Sequence, residues 1–173
     1  IIFVNDGSTD DSYEVIQQLA EQYRGFVFGI DLMRNYGQHH ATLCGIERAT
    51  GECIITLDDD LAHSPEQGMQ LMNYMLNNKL DLAYGISKKK QYGLGRSLGR
   101  YLLYVGSSIG TKRIAGASFR SMTNTLAKQL KPEGDVVFID DLMTSITDRY
   151  HYLPFPNFRA RSRSRYNNAS LWK

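Results

Sequence analysis

Carboxylates fall where side-chain chemistry can be built. Asp6 follows the apolar run Ile1–Val4, and Asp58, Asp59 and Asp60 follow the apolar run 53–57 (CIITL). Three successive aspartates repel one another unless a positive charge sits among them. In an extended segment the i, i+2 spacing puts Asp58 and Asp60 on the same side. Hard oxygen ligands of this kind suit Mg²⁺ or Mn²⁺, which usually reach on to substrate phosphates. The alternative is a solvated acidic turn that caps the next helix. Asp140 and Asp141 precede Leu142, Met143 and Ile146, which reads as a helix start with the acids at its favourable end. Arg159, Arg161, Arg163 and Arg165 alternate in FRARSRSRYN. Extended, they line one edge, and guanidinium groups can grip phosphate through two oxygens; the alternative is a solvated tail.

These groups need elements to hold them. Residues 1–4 read as a buried strand ending in the Asn5-Asp6-Gly7 turn. Val15, Ile16, Leu19, Ala20 and Tyr23 recur at helical spacing over 9–24, with Ser8, Thr9 and Asp10 available as caps. Residues 26–32 read as a strand, 38–49 as a helix, 53–57 as a strand, 65–78 as a helix opened by Pro65, and 81–85 as a strand. This β-α-β-α-β-α-β order predicts an α/β fold, a mostly parallel sheet with helices on both faces. Ligands then bind beyond the carboxyl ends of the strands, where Asp6 and Asp58 to Asp60 lie. Further on, 97–110 is predicted helical, 115–122 a strand, 123–131 and 138–148 helices, and 150–156 extended because Pro154 and Pro156 oppose helix.

Composition narrows the class. With 173 residues, 42% hydrophobic and 22% charged, the chain is globular, not disordered or fibrous. Its length can bury roughly 70% of the unfolded surface. Cys44 and Cys53 show no motif spacing; they read as buried small hydrophobes in a reducing compartment. No apolar run approaches the roughly 18 residues of a membrane span, and no signal peptide is visible. A first residue Ile1 is expected of a piece of a longer or processed chain. Net charge is only +2, yet residues 1–87 hold 13 acidic and 4 basic side chains, while 88–113 and 149–173 are purely basic with 7 and 6. Solvated loops or cationic surfaces for phosphate, membrane or nucleic acid both account for that.

The stretches VNDGSTDDS, RNYGQHHATLCGIERATGE and LDDDLAHSPE, in this order and at this spacing, resemble the family 2 glycosyltransferases. The nearest branch is that of dolichol-phosphate mannose synthases and bacterial polyprenyl-phosphate glycosyltransferases. The resemblance implies a GT-A nucleotide-diphospho-sugar transferase fold lacking its first βα unit, with a GT-A-like domain over 1–148 and a basic extended segment over 149–173. It implies an inverting transfer from a nucleotide sugar, with Mg²⁺ or Mn²⁺, to a polyprenyl phosphate or cell-envelope glycan. Asp6 matches the aspartate that contacts the base. Arg34, Asn35 and Gly37 match the segment lining the nucleotide site, and the same stretches bring Ser8, Gln38 and Asp59 into it. Asp58 and Asp60 match the two acids of the DxD motif, the second a direct metal ligand. Arg159, Ser164 and Arg165, with Arg161 between them, match a stretch that handles phosphate.

In saccharide-acceptor relatives an acidic pair supplies the catalytic base, here Asp141. A hydroxyl acceptor needs such a base; a phosphate acceptor, already ionised, does not. Departures from the pattern are Ala62 where a Gln near the metal is common, Ser87 and Lys90 in place of arginines, a missing Asp before AGASFR, and Ser162 in place of Gly. His39 and His40 read as pocket-lining or solvated, and His63 as a turn histidine beside the acid run. Lys88–Lys90 reads as a solvated loop or as a lid with Gly93 and Gly95 as hinges. The basic segment implies docking at an anionic membrane on its cytoplasmic side. The competing functions are nucleic-acid binding through the basic segments, opposed by the acidic first half, and a non-catalytic interaction module.

Overall fold

The computed structural model describes residues 1–60, 62–87, 118–131 and 138–156. The expected helix over 97–110, the Lys88–Lys90 loop and the arginines at 159, 161, 163 and 165, together with Ser164, lie outside them.

The elements run β1 (Ile2–Asn5), α1 (Ser12–Gln22), β2 (Phe28–Asp31), α2 (Gln38–Arg48), β3 (Cys53–Thr56), α3 (Pro65–Asn77), β4 (Leu82–Ser87), β5 (Arg120–Thr123), α4 (Asn124–Ala127), α5 (Ile139–Ile146) and β6 (Tyr150–Phe155). The first seven match the expected order. β1 and β2 pair in parallel. The second sheet has the order β3-β5-β4-β6, with β6 parallel to β4. β5 runs antiparallel between β3 and β4. That insertion converts an otherwise parallel arrangement into a mixed sheet. The extended reading of 150–156 is therefore an edge strand of this sheet, where Pro154, opposite Ile86, has no ladder hydrogen bond to forfeit.

Side-chain alternation shows how the layers form. A Cβ on Gly29, on β2, would meet Ile16 Cγ2 of α1 at 2.6 Å, whereas Gly45 of α2 lies against Val4 of β1. Gly29 pairs with Phe3, so α1 and α2 cover opposite faces of the first pair of strands. In the second sheet Ile54, Leu82, Tyr84 and Met122 share one face with Leu43 and Ile46 of α2, Leu126 of α4, and Ile139 and Met143 of α5. Ala83, Phe119 and Phe155 share the other face with Leu71 and Met75 of α3. Helix α2 thus packs on both strand groups and bridges the two sheets, which share no ladder among the described residues. Its own start is bare: Gly37, at φ +89°, is the N-cap and no side chain caps it.

Helix α3 is anchored differently. Ser64 accepts from the Gln67 amide while the Gln67 side chain accepts from the Ser64 amide, a full capping box, with Pro65 at the first position. The Gln67 side chain also donates to the Pro156 carbonyl at 2.9 Å, tying α3 to the end of β6.

Candidate functional site

Three strand and helix ends meet around the first turn of α2. At the end of β1, Asp6 Oδ1 accepts from the Tyr36 amide at 2.7 Å and Oδ2 from the Gly37 amide at 2.9 Å. One residue on, Gln38 Nε2 donates to Asp58 Oδ1 at 2.7 Å. The other Asp58 oxygen accepts from the Ser118 hydroxyl. The Ser118 carbonyl in turn accepts from Thr56 Oγ1 of β3 at 2.7 Å, which fixes it beside the strand that delivers Asp58. Asp6 and Asp58 therefore belong to one continuous hydrogen-bonded assembly at the carboxyl ends of β1 and β3, as their positions in the sequence required.

Gly7 permits the close approach of these loops. Its φ is +66°, and a Cβ there would lie 2.5 Å from the Arg34 carbonyl carbon and 2.6 Å from the Asn35 nitrogen. Only a residue without a side chain lets the β1 turn press against the 34–37 segment. Asn5 completes the joint: its side-chain Nδ2 donates to Asp31 Oδ1 at 2.7 Å, and its side-chain Oδ1 accepts from the Ser8 backbone amide. Ser8, Arg34 and Asn35 are exposed on the rim. The Arg34 guanidinium lies 4.7 Å over the Tyr36 ring, held as a cation over an aromatic face.

Asp58, Asp59 and Asp60 are exposed in the turn after β3. Asp60 Oδ1 accepts from the Ala62 amide at 2.9 Å. No aspartate of the run caps α3, because Ser64 does; the helix-capping alternative is thereby excluded. His63 stacks on Phe119 with ring centroids 4.2 Å apart, so it packs beneath the turn as a turn histidine.

The donor set fits a hard divalent cation held jointly with a substrate. Asp58 and Asp60 offer carboxylate oxygens, and among the described residues no group of three His, Cys, Asp or Glu forms a closed cage. Mg²⁺ characteristically takes one or two carboxylates and completes its shell with phosphate and water.

A second polar cluster lies under the same helix turn. Arg120 of β5 and Asp140 of α5 form an ion pair at 3.3 Å, with side chains 4% and 18% exposed. Tyr84 pairs across the strands with Arg120, stacks on Tyr152, and has its hydroxyl facing Asp140. Burial raises the Asp140 carboxyl above its ordinary pKa, against the opposing pull of Arg120, Tyr84 and His39. Burial likewise raises the Tyr84 phenol, so it stays neutral. His39 packs edge-on to Phe138. Asp141 sits half-buried in the first turn of α5. The acidic pair is thus split: Asp140 is committed to Arg120, and Asp141 is left toward the surface.

Three participants escaped the sequence reading. Ser118 stands 60 residues from Asp58 with no local signal. The Arg120–Asp140 pair joins residues whose strand order was not legible. The structural duty of Asp6, holding two backbone amides, was hidden behind its likeness to a base-contacting residue.

A model described as Glycosyl transferase family 2 matches residues 1–114. Undecaprenyl-phosphate 4-deoxy-4-formamido-L-arabinose transferase of Pseudomonas savastanoi pv. phaseolicola is 39% identical over 94 residues, covering 49% of this chain and 28% of that protein. The protein of the same name from Photorhabdus laumondii is 48% identical over 67 residues, covering 39% of this chain and 21% of its own length. The matched segment thus spans between about a fifth and somewhat over a quarter of these relatives' own length. Among solved structures, glucosyl-3-phosphoglycerate synthase from Mycobacterium tuberculosis, in complex with Mn²⁺, UDP-glucose and glycerol 3-phosphate, superimposes with a TM-score of 0.63 at 16% identity, over 98% of this chain and 62% of that one. A mannosyltransferase from Pyrobaculum calidifontis in complex with GDP-Man and Mn²⁺ gives 0.59 at 17% identity, over 90% and 45%. At such identities the likeness is one of fold.

Proposed function

Because the chain belongs to the family 2 glycosyl transferases and has the GT-A fold, we propose that it forms the donor site of an inverting glycosyltransferase that passes a sugar from a nucleotide to polyprenyl phosphate. The observation that carries this reading is the assembly Asp6–Gly37–Gln38–Asp58 at the carboxyl ends of β1 and β3. Asp6, Ser8, Arg34, Asn35 and Gly37 form the nucleoside side of the cleft. Asp58 and Asp60 form its diphosphate side, where they would hold Mn²⁺ or Mg²⁺; the bound ion would offset the charge that develops on the departing diphosphate. The sugar carbon gains oxocarbenium character as that bond breaks, so the chain's residues orient the donor and exclude water. The names of the curated relatives support undecaprenyl phosphate as the acceptor. That acceptor is already anionic and needs no base, which agrees with Asp140 being tied to Arg120 and leaves Asp141 dispensable for proton removal. A lipid-linked acceptor places the working enzyme at a membrane surface, and a nucleotide donor places it on the cytoplasmic side. No helix among the described residues is long and apolar enough to cross a membrane.

The test is thermal stabilisation by a panel of nucleoside diphosphates with and without Mn²⁺. One base is expected to raise Tm more strongly with the metal, and Asp58→Asn to remove the metal-dependent part. No stabilisation by any nucleoside diphosphate in the presence of Mn²⁺ refutes the reading.

A further inference from the structure

Exposed carboxylates in turns usually swing freely, yet Asp58 does not. Gln38 Nε2 holds Oδ1 at 2.7 Å and the Ser118 hydroxyl holds Oδ2. The two donors come from segments 80 residues apart in the chain. Gln38 begins α2, and Ser118 precedes β5 with its carbonyl fixed by Thr56 Oγ1. Both donors are neutral, so the charge of the carboxylate survives. A carboxylate has about four lone-pair sites; two are taken here, and each oxygen keeps one to offer.

Gln38 is itself set from the other end. Its neighbours Tyr36 and Gly37 give their amides to the two oxygens of Asp6. The N-cap, Gly37, has no side chain with which to cap α2; Asp6 holds its amide and so helps fix where the helix starts and where the Gln38 side chain departs.

We infer that Gln38 and Ser118 are positioning residues for the metal-binding carboxylate of Asp58, and that Asp6 acts on the metal at a distance by placing Gln38. The nucleoside side and the metal side of the cleft are coupled through the first turn of α2. The inference rests on the reading of Asp58 as a metal ligand. Partners that orient ligating side chains are commonly worth 10- to 100-fold in metal affinity or activity. Coupling of this kind is reciprocal: a group that loosens Asp6 weakens the metal, and a metal that fixes Asp58 orders the turn that Asp6 holds.

The experiment is titration of the full chain with MnCl₂, following the electron paramagnetic resonance signal of free Mn²⁺. Gln38→Met, which keeps the length and loses the donor, is expected to weaken Mn²⁺ about 10-fold. Ser118→Ala is expected to act in the same direction, and Ser118→Thr, which keeps the hydroxyl, to restore the affinity. Asp6→Ala is expected to weaken Mn²⁺ about 5-fold although it is no ligand. The double variant Asp6→Ala/Gln38→Met is expected to be no weaker than Gln38→Met alone, because both act through one contact. If the chain binds Mn²⁺ no better than Asp58→Asn does, the metal reading fails and this inference with it. If Asp58→Asn abolishes binding while Gln38→Met and Ser118→Ala bind as tightly as the unaltered chain, the positioning inference alone is overturned. If the Asp6 and Gln38 effects multiply, the coupling through α2 is overturned. Gln38 is exposed, so its variant carries the test even where Ser118→Ala does not fold.

Discussion

Removing Asp140 takes a charged partner away from a buried guanidinium. Arg120 is 3% exposed and its Nη2 lies 3.3 Å from Asp140 Oδ1. At an effective dielectric constant of about 20 the attraction is about 5 kcal/mol before desolvation is counted. Desolvation offsets most of that, so replacing both partners with apolar groups of similar volume is close to neutral. Removing one partner is not: an uncompensated buried charge costs about 3–5 kcal/mol. Asp140→Ala is therefore expected to destabilise the chain in urea denaturation at pH 7 by clearly more than Arg120→Met/Asp140→Leu, which is expected to stay within about 1 kcal/mol of the unaltered chain. Arg120→Met behaves differently, because a carboxyl can neutralise itself. Burial already raises the Asp140 pKa and Arg120 opposes that rise, so without Arg120 it climbs further. A carboxyl raised in the folded state binds its proton more tightly there than in the unfolded chain. Its folded form is favoured below the ordinary pKa of about 3.9, and that advantage is lost as pH rises through the folded value. The destabilisation by Arg120→Met is thus expected to shrink as pH falls from neutrality. A loss under about 1 kcal/mol for Asp140→Ala, or a pH-independent cost for Arg120→Met, refutes the reasoning.

The remaining expectations are narrower. Ser64→Ala removes the cap of α3 and is expected to cost about 1 kcal/mol in the same assay. Gly7→Ala forces a Cβ onto the backbone of Arg34 and Asn35, with an expected loss of about 2 kcal/mol or more; an unchanged denaturation midpoint contradicts the close packing of that turn. Asp81 is raised by burial, but hydrogen bonds from Arg149 and Thr147 and the Arg149 charge outweigh this and lower its pKa. The stabilisation it gives is present above about pH 3.9 and disappears as pH falls through the lowered folded value. The Tm gap between the unaltered chain and Asp81→Asn should accordingly be constant near neutrality and close in acid; a gap that persists at the lowest pH counts against this. Asp141→Asn is expected to spare transfer to polyprenyl phosphate by the complete enzyme, whereas its abolition would indicate a hydroxyl acceptor.

Much of the donor side was legible before any coordinates. Alternation and helical spacing are local, and up to residue 87 each strand and helix declares itself within its own run of residues. The turns Asn5-Asp6-Gly7 and Asp58-Asp59-Asp60 follow strands, and strand ends in parallel α/β folds are where ligands sit, so Asp6 and Asp58 stood out as candidates from their positions alone, and the structure links them through the first turn of α2. The α3 start was legible too, since Pro65 is suited to the first position of a helix; the Ser64–Gln67 capping box became visible only in the structure.

What the chain's order could not convey is which distant elements lie side by side. β5 enters between β3 and β4 and runs against both; nothing in residues 120–123 states a partner, because pairing depends on backbone groups that every residue carries. That choice brings Ser118 to Asp58 across 60 positions and Arg120 to Asp140, tying one member of an acidic pair at a helix start to a buried cation. Amino-acid types and spacing determined which side chains could bind a charged nucleotide. Tertiary packing decided which of them are held in place, because orienting a carboxylate takes donors from elements the sequence keeps far apart.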